Sequence, residues 1–187
     1  MNDIEELWQE YNEQGEPIGS GITKVVGRSG VLHGAAHVWI WRRNESQRQI
    51  LLRRRAADKP TWPNFLDISA AGHIDFGETP LQAAMREARE ELGLDVEISA
   101  LRFICAYRNS GRFEQIIENE IQWLYTLELP AHQQFTFDDE VIEAMWVPLD
   151  QFQKLIASQV ADETLVPQGA VYFAELLRGL ERQLNGI

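Results

Sequence analysis

The chain has 187 residues, 44% of them hydrophobic and six of them Trp, a composition that suits a folded unit with its own core rather than a disordered segment. Its 17 Lys and Arg against 29 Asp and Glu leave a net charge of −12, which argues against broad nucleic-acid or anionic-membrane binding but not against a local grip on a small phosphate. A single cysteine, Cys105, excludes a disulfide within the chain, and the longest mostly apolar run, AAHVWIW at residues 35–41, is too short to span a bilayer.

The opening MNDIEELWQE is acidic and polar, unlike a secretory signal, so a cytoplasmic location is expected. Residues 7–19 read as a hairpin turned at Asn12-Glu13-Gln14-Gly15. Residues 31–42 and 48–54 read as strands joined by a turn at 43–46, and residues 66–71 as a short apolar strand ending at Gly72. The segment from His73 to Thr79 has neither helical nor strand period and reads as a loop. Thr79-Pro80 then opens a helix with an apolar stripe of Leu81, Met85, Ala88 and Leu92, closed by Gly93 as a left-handed cap. Strands are expected over 95–107, 115–129 and 141–147, a helix from Leu149, and a last amphipathic helix from about Ala170 to Leu184. With no internal repeat or linker, we expect one domain over 1–187: a hairpin at about 5–20, a core at about 31–163 and a C-terminal helix at about 168–184. Strands before, between and after helices predict a mixed sheet sandwiched by helices, an α/β fold.

The informative stretch is GHIDFGETPLQAAMREAREELGL, residues 72–94. Glu87 and Glu91 are four apart and share one helix face, with Glu90 on its border. Carboxylates so close repel one another, and a bound divalent cation would remove the repulsion. Hard oxygen ligands in this number suit Mg²⁺ or Mn²⁺ far better than Zn²⁺. An arbitrary Glu/Arg-rich helix is nevertheless a plain solvated face about 80% of the time. The preceding loop shifts the balance, because Gly72, Glu78, Arg86, Glu87, Glu90, Glu91 and Gly93 fall on the spacing G-x5-E-x7-R-E-U-x-E-E-x-G-U, with U a bulky apolar residue. Seven chance matches at about one in fifteen each occur on the order of 10⁻⁸ times per window.

This stretch resembles the Nudix box at all seven fixed positions. Ala88 stands where the pattern prefers Ile, Leu or Val, and Leu94 fits the last apolar place. The resemblance implies the Nudix-type α/β/α sandwich with a mixed β-sheet, and hydrolysis by water of a diphosphate linkage in a nucleoside diphosphate or a derivative. It also implies roles. Glu87 and Glu91 match principal metal ligands, Glu90 a ligand or base, and Gly72 the glycine whose carbonyl approaches the metal. Glu78 and Arg86 match the pair that ties loop to helix. Glu120 matches the acid that a later strand often sets over the metals, and Glu118 shares its strand face by period two. Many relatives are dimers, so a homodimer is among the assemblies the resemblance allows.

Residues 30–125 are also similar to the isopentenyl-diphosphate isomerase branch of the same superfamily, through VLHGAAHVWIW, LLRRRAADKPTWPNF, SAAGH and ENE. Arg55 and Lys59, ahead of Trp62-Pro63, occupy that branch's diphosphate-binding places, and a cation pair so spaced can grip phosphate oxygens. Arg53 and Arg54 read equally well as an edge-strand charge cluster. His33, His73, Glu118 and Glu120 match metal-ligand positions of the isomerases, although a lone His is more often structural than a ligand. The isomerase identity fails at two places: Ala71 stands where that reaction uses a cysteine, and Val26 where its metal site uses a histidine. The expectation is therefore a hydrolase on an isomerase-like scaffold; the alternatives are a prenyl-diphosphate isomerase and a catalytically silent nucleotide sensor. Cys105 reads as inert core, and the tryptophans mostly as core, with Trp62 at the substrate's border. The loops at 111–115 and 136–140 are candidates for substrate selection but carry no readable code.

Overall fold

The computed structural model describes residues 6–45, 47–137, 141–158 and 165–185, with Phe113, Leu184 and Asn185 described by backbone alone. The expected hairpin forms from β1 (Leu7–Tyr11) and β2 (Pro17–Thr23). Asn12 Oδ1 closes its turn by accepting from the Gln14 and Glu16 amides, both at 2.9 Å. A one-turn helix, α1 (Lys24–Gly27), follows; it is too short to leave a helical period in the sequence.

The next strand, β3 (His33–Asn44), is buried continuously from His33 to Trp41, as a strand covered on both faces must be. It continues through Arg43 and Asn44, which pair with Arg48 and Gln47 of β4 (Gln47–Arg55). The turn expected at 43–46 is thus reduced to its last two places, of which residue 46 lies outside the described residues.

The strand expected over 66–71 is two pieces, β5 (Leu66–Asp67) on β4 and β6 (Ala70–His73) on β3. Ser69 causes the switch. Its hydroxyl donates to Leu51 O at 2.6 Å and accepts from Ile40 N at 2.8 Å, replacing ladder bonds at the crossing. Gly72 and His73 therefore lie inside a strand, rather than at its end and in a loop.

Helix α2 (Pro80–Leu92) has the expected limits. Thr79 and Gln82 form a reciprocal capping box, and Gly93 adopts φ 67° as the left-handed cap. The strand expected from 95 starts only at Arg102, after a 3₁₀ turn over Ile98–Ala100. Beyond it β7 (Arg102–Phe113) and β8 (Ile116–Leu129) make a long hairpin. The chain continues through β9 (Val141–Pro148), α3 (Leu149–Ala157) and α4 (Ala170–Asn185).

β3 organises the sheet. One edge pairs in parallel with β8 from His33 to Arg42; the other takes β6 along residues 35–38 and β4 along 41–44. Because side chains alternate, Ala36, Val38 and Ile40 enter a core with Ala83, Ala84, Ala88 and Leu92 of α2. Trp39 and Trp41 enter a second core with Phe152 of α3 and Tyr172, Phe173 and Leu176 of α4. The result is an α/β fold with a mixed sheet between helical layers. On the same face as Trp39 and Trp41, but nearer the start of β3, stand His33, Ala35 and His37; the last two line a cleft of about 700 Å³.

Candidate active site

The cleft opens where α2 meets β6. A Cβ at residue 72 would overlap the Glu87 carboxylate, so glycine there lets the helix acid lie on the strand backbone. One turn on, Glu91 Oε2 accepts from Ala71 N at 2.9 Å. Glu87 and Glu91 are 8% and 2% exposed, against half exposure for the Glu90 side chain, so the shared face is turned inward rather than solvated. Burial pushes both carboxyls up, Glu87 to about 7 and Glu91 to about 8, with Arg86 and Arg53 respectively working against it.

The box arginine ties loop, strand and helix together. Arg86 Nε and Nη2 each donate to Glu78 at 3.0 Å, Nη2 also to His73 O at 2.8 Å, and Nη1 to Glu87 at 2.6 Å and Glu90 at 3.2 Å. Glu78 Oε2 accepts in turn from Asp75 N at 3.1 Å.

Sequence reasoning missed Arg53. As an edge-strand cluster it would be solvated, but β4 is paired by β3, β5 and β9, and Arg53 is 3% exposed. It donates to Glu91 and, at 3.2 Å, to Ala71 O, and lies 3.8 Å from Asp67. Arg55 shares its strand face. It donates to Asp67 Oδ2 at 2.8 Å and to Thr61 O at 3.1 Å, which fixes the guanidinium on the cleft wall beside Lys59 and Trp62. Trp62 adopts φ 52°, in the left-handed region.

A second cluster faces the box acids. His33, His73, Glu118 and Glu120 bring one ligand atom each within 4.8 Å of one another. Glu120 Oε1 lies 3.5 Å from His33 Nε2 and 3.4 Å from His73 Nε2. Trp8 roofs the pair, stacked on His73 at 3.5 Å and on His33 at 5.0 Å between centroids. Burial opposes ionisation of Glu120, but the two imidazoles beside it overcome burial and hold that carboxyl well below the usual range. Burial lowers His73, while Glu120 outweighs burial at His33 and raises it. The two histidines, weak as separate sequence signals, are thus brought together by the β3–β6 pairing.

Both donor sets fit a divalent cation. Glu87 and Glu91 are buried with their carboxyls pushed up despite Arg86 and Arg53, and a cation bound between them would favour the ionised forms. In the facing cluster His33 Nε2 and Glu118 Oε2 are buried without a hydrogen-bond partner. The second set mixes nitrogen with oxygen, so it widens the donor chemistry beyond the all-oxygen set that favours Mg²⁺ or Mn²⁺.

Of the expected selection loops, Gly111 and Arg112, near the tip of the β7–β8 hairpin, line the cleft. Thr136 instead bonds Leu92 O at the far end of α2, and residues 138–140 lie outside the described residues. Cys105 is half-buried against the second core, its thiol pushed up by burial.

The NUDIX domain model matches residues 32–168. Nudix hydrolase 3 of Arabidopsis thaliana is 33% identical over 87% of this chain, which spans only 22% of that protein's length. An uncharacterised Nudix hydrolase of Listeria monocytogenes is 34% identical over 82% of this chain and 86% of its own. An isopentenyl-diphosphate Delta-isomerase of Klebsiella pneumoniae is 33% identical over 68% and 67%. Among solved structures, a Deinococcus radiodurans protein superposes with a TM-score of 0.67 at 25% identity, covering 92% of this chain and 98% of that one.

Proposed function

This chain belongs to the Nudix hydrolase family, and on that footing we propose that it cleaves the diphosphate linkage of a nucleoside diphosphate or a nucleoside diphosphate derivative in the cytoplasm, with Mg²⁺ or Mn²⁺. The observation that carries the reading is the pairing of opposite charges across one cleft: Glu87, Glu90 and Glu91 on one wall, Arg55 and Lys59 on another.

Glu87 and Glu91, with the carbonyl of Gly72, are the residues that would hold the cation, Glu90 standing beside them. His33, His73, Glu118 and Glu120 are a second set able to do so. A divalent cation held here would neutralise diphosphate charge and make a bound water more acidic. The protein's own part is positional. Arg55, fixed by Asp67 and Thr61, and Lys59 grip phosphate oxygens, Arg55 by a planar fork and Lys59 as a point charge. Glu78 and Arg86 lock the loop to the helix so that the acids keep their geometry. The reaction adds water across P–O–P: the attacking oxygen bonds phosphorus, its proton passes to a carboxylate, and the bridging oxygen leaves with the electron pair of the broken bond. Glu90 and Glu120 are the acids we assign to take that proton, Glu90 from an accessible site and Glu120 already ionised.

Isomerase chemistry is disfavoured because Ala71, which meets His37 across the β3–β6 ladder, has no proton to transfer. The test is turnover with Mg²⁺ or Mn²⁺ on nucleoside diphosphates, sugar nucleotides, dinucleotides and prenyl diphosphates, with products identified by mass. Release of two phosphorylated fragments, or of phosphate, supports the proposal; an isomerised prenyl product, or binding without turnover, refutes it.

A further inference from the structure

The cleft floor carries polar groups that the proposed hydrolysis does not use. Gln122 on β8 is 2% exposed and lines the cleft. Its amide nitrogen donates to Glu120 Oε2 at 2.9 Å. A carboxylate only accepts, so this bond fixes the orientation of the amide. Gln122 Oε1 is then turned away from Glu120, buried and without a partner. Such an acceptor is costly to leave unmet.

His37 stands one diagonal step away on the same sheet face, since Ala35 pairs with Gln122 and His37 with Leu124. It is 5% exposed and lines the same cleft. The Tyr172 hydroxyl, reaching over from α4, accepts from Trp39 Nε1 at 2.9 Å and lies 2.8 Å from His37 Nδ1. Among the described residues His37 Nδ1 is the acceptor within reach of the buried Tyr172 hydroxyl proton, which assigns Nδ1 as acceptor and places the ring proton on Nε2. Burial lowers His37 to about 4, which keeps the ring neutral at physiological pH.

We propose that His37 and Gln122 form a neutral subsite on the cleft floor that reads a hydroxyl group on the organic arm of the diphosphate substrate. A hydroxyl supplies both an acceptor for the His37 Nε2–H and a donor for Gln122 Oε1. An anionic oxygen is unsuited, because it meets the Gln122 acceptor beside the Glu118 and Glu120 carboxylates. A hydrocarbon arm is worse, since it buries both groups unpaired, and sites of this kind discriminate by orders of magnitude. This inference rests on the diphosphate-hydrolase reading and adds to it the exclusion of prenyl-type substrates.

The experiment compares wild type, Gln122→Met and Tyr172→Phe on ADP-ribose, on 2′,3′-dideoxy-ADP and on isopentenyl diphosphate. Gln122→Met removes the acceptor at nearly constant volume. It should lower kcat/KM for ADP-ribose at least about a hundredfold relative to that for isopentenyl diphosphate, whose hydrocarbon arm no longer buries an unpaired acceptor. Tyr172→Phe should release the His37 tautomer, read as a change in its imidazole ¹⁵N shifts, and weaken ADP-ribose alone. Equal losses on ADP-ribose and dideoxy-ADP would assign the subsite to a base edge and overturn the hydroxyl assignment. Equal losses on all three substrates, or none, would overturn the subsite while leaving the hydrolase intact. Wild type that cleaves no diphosphate would overturn the hydrolase reading instead; the subsite is then decided by calorimetric ADP-ribose binding in chelator, where indistinguishable affinities of wild type and Gln122→Met would overturn it. Circular-dichroism melts confirm that each variant is folded.

Discussion

Glu91→Gln separates the metal-ligand reading of the helix acids from a purely structural one, because the two arms of the experiment have opposite signs. Without metal, burial raises the Glu91 carboxyl from its usual 4.5 to about 8. Between those values the folded protein keeps a proton that the unfolded chain has released, so wild-type stability falls as pH rises through the window. One such group contributes at most about 1.4 kcal/mol per pH unit, hence about 2.7 kcal/mol between pH 5 and 7. The amide of the variant does not titrate, so in chelator the variant should gain on wild type by up to that amount over the two units. Glu120, held well below the usual range, titrates beneath this window, and the raised His33 is common to both proteins, so both drop out; Glu87, raised to about 7, titrates within the window in both proteins and leaves the variant a residual slope of its own. With saturating Mg²⁺ the order reverses, because a ligand that binds only the folded wild type stabilises it by mass action, by about 2.7 kcal/mol at a hundred times Kd. The assay is urea unfolding at pH 5, 6 and 7, with chelator and with Mg²⁺, beside kcat, which should fall at least about a hundredfold. Parallel pH slopes in chelator would refute the burial argument. Equal Mg²⁺ stabilisation of both proteins, with wild-type turnover, would refute the ligand assignment.

Activity should vanish on chelation and return with Mg²⁺ or Mn²⁺, followed as product release on metal titration; undiminished turnover in metal-free buffer contradicts both donor-set arguments. Arg55→Ala and Lys59→Ala should raise KM for diphosphate substrates more than they lower kcat, since they hold charge already present in the ground state; initial-rate kinetics with an unchanged KM in both would count against the phosphate grip. Arg53→Met leaves Glu91 with only the Ala71 amide, and loss of one partner of a buried pair costs about 3–5 kcal/mol when the other stays charged. Because folded wild type keeps the Glu91 proton up to about pH 8 and the variant keeps it to a higher pH, the denaturation penalty should grow as pH rises from about 7 to about 9, and a penalty constant over that range would contradict the pairing. Ala71→Cys should yield no isomerase activity, because Val26 still stands where that metal site has a histidine; labelled isopentenyl diphosphate with product chromatography checks it.

The elements legible in the sequence are those whose signal is local. Helix α2 has a capping box, a proline in its first turn and a left-handed glycine, all within fifteen residues of chain, and each acts on its own helix. The strand over 66–71 is not legible as two pieces because its break depends on Ser69 bonding Leu51 and Ile40, residues 18 and 29 positions away. Nothing in LDISAAGH records those partners. The start of β7 lies later than its hydrophobicity suggests for a similar reason: residues 95–101 are apolar enough for a strand but have no neighbour to pair with, and hydrophobicity alone does not supply one.

At the site the same distinction holds in charge rather than in hydrogen bonds. The box acids can be identified because their chemistry is repeated at fixed spacing, whereas Arg53 looks in sequence like its neighbours Arg54 and Arg55. What separates the three is the strand on either side. Arg54 is half-buried beside Glu143, while Arg53, one residue earlier, turns to the opposite face and is enclosed by Asp67 and Glu91. His37 is harder still, since its tautomer is set by Tyr172, 135 residues away. An imidazole in an apolar strand run reads as a structural histidine, and in one sense it is, being held by Trp39 and Tyr172. Yet the bond that fixes it structurally is also what leaves Nε2–H as the polar edge turned from the helix, so the packing of α4 on the sheet and the polarity of the cleft floor are the same physical fact. It follows that substrate selection here can be altered from the side of the sheet opposite α2, through a C-terminal helix that contributes no acid, base or phosphate contact of its own.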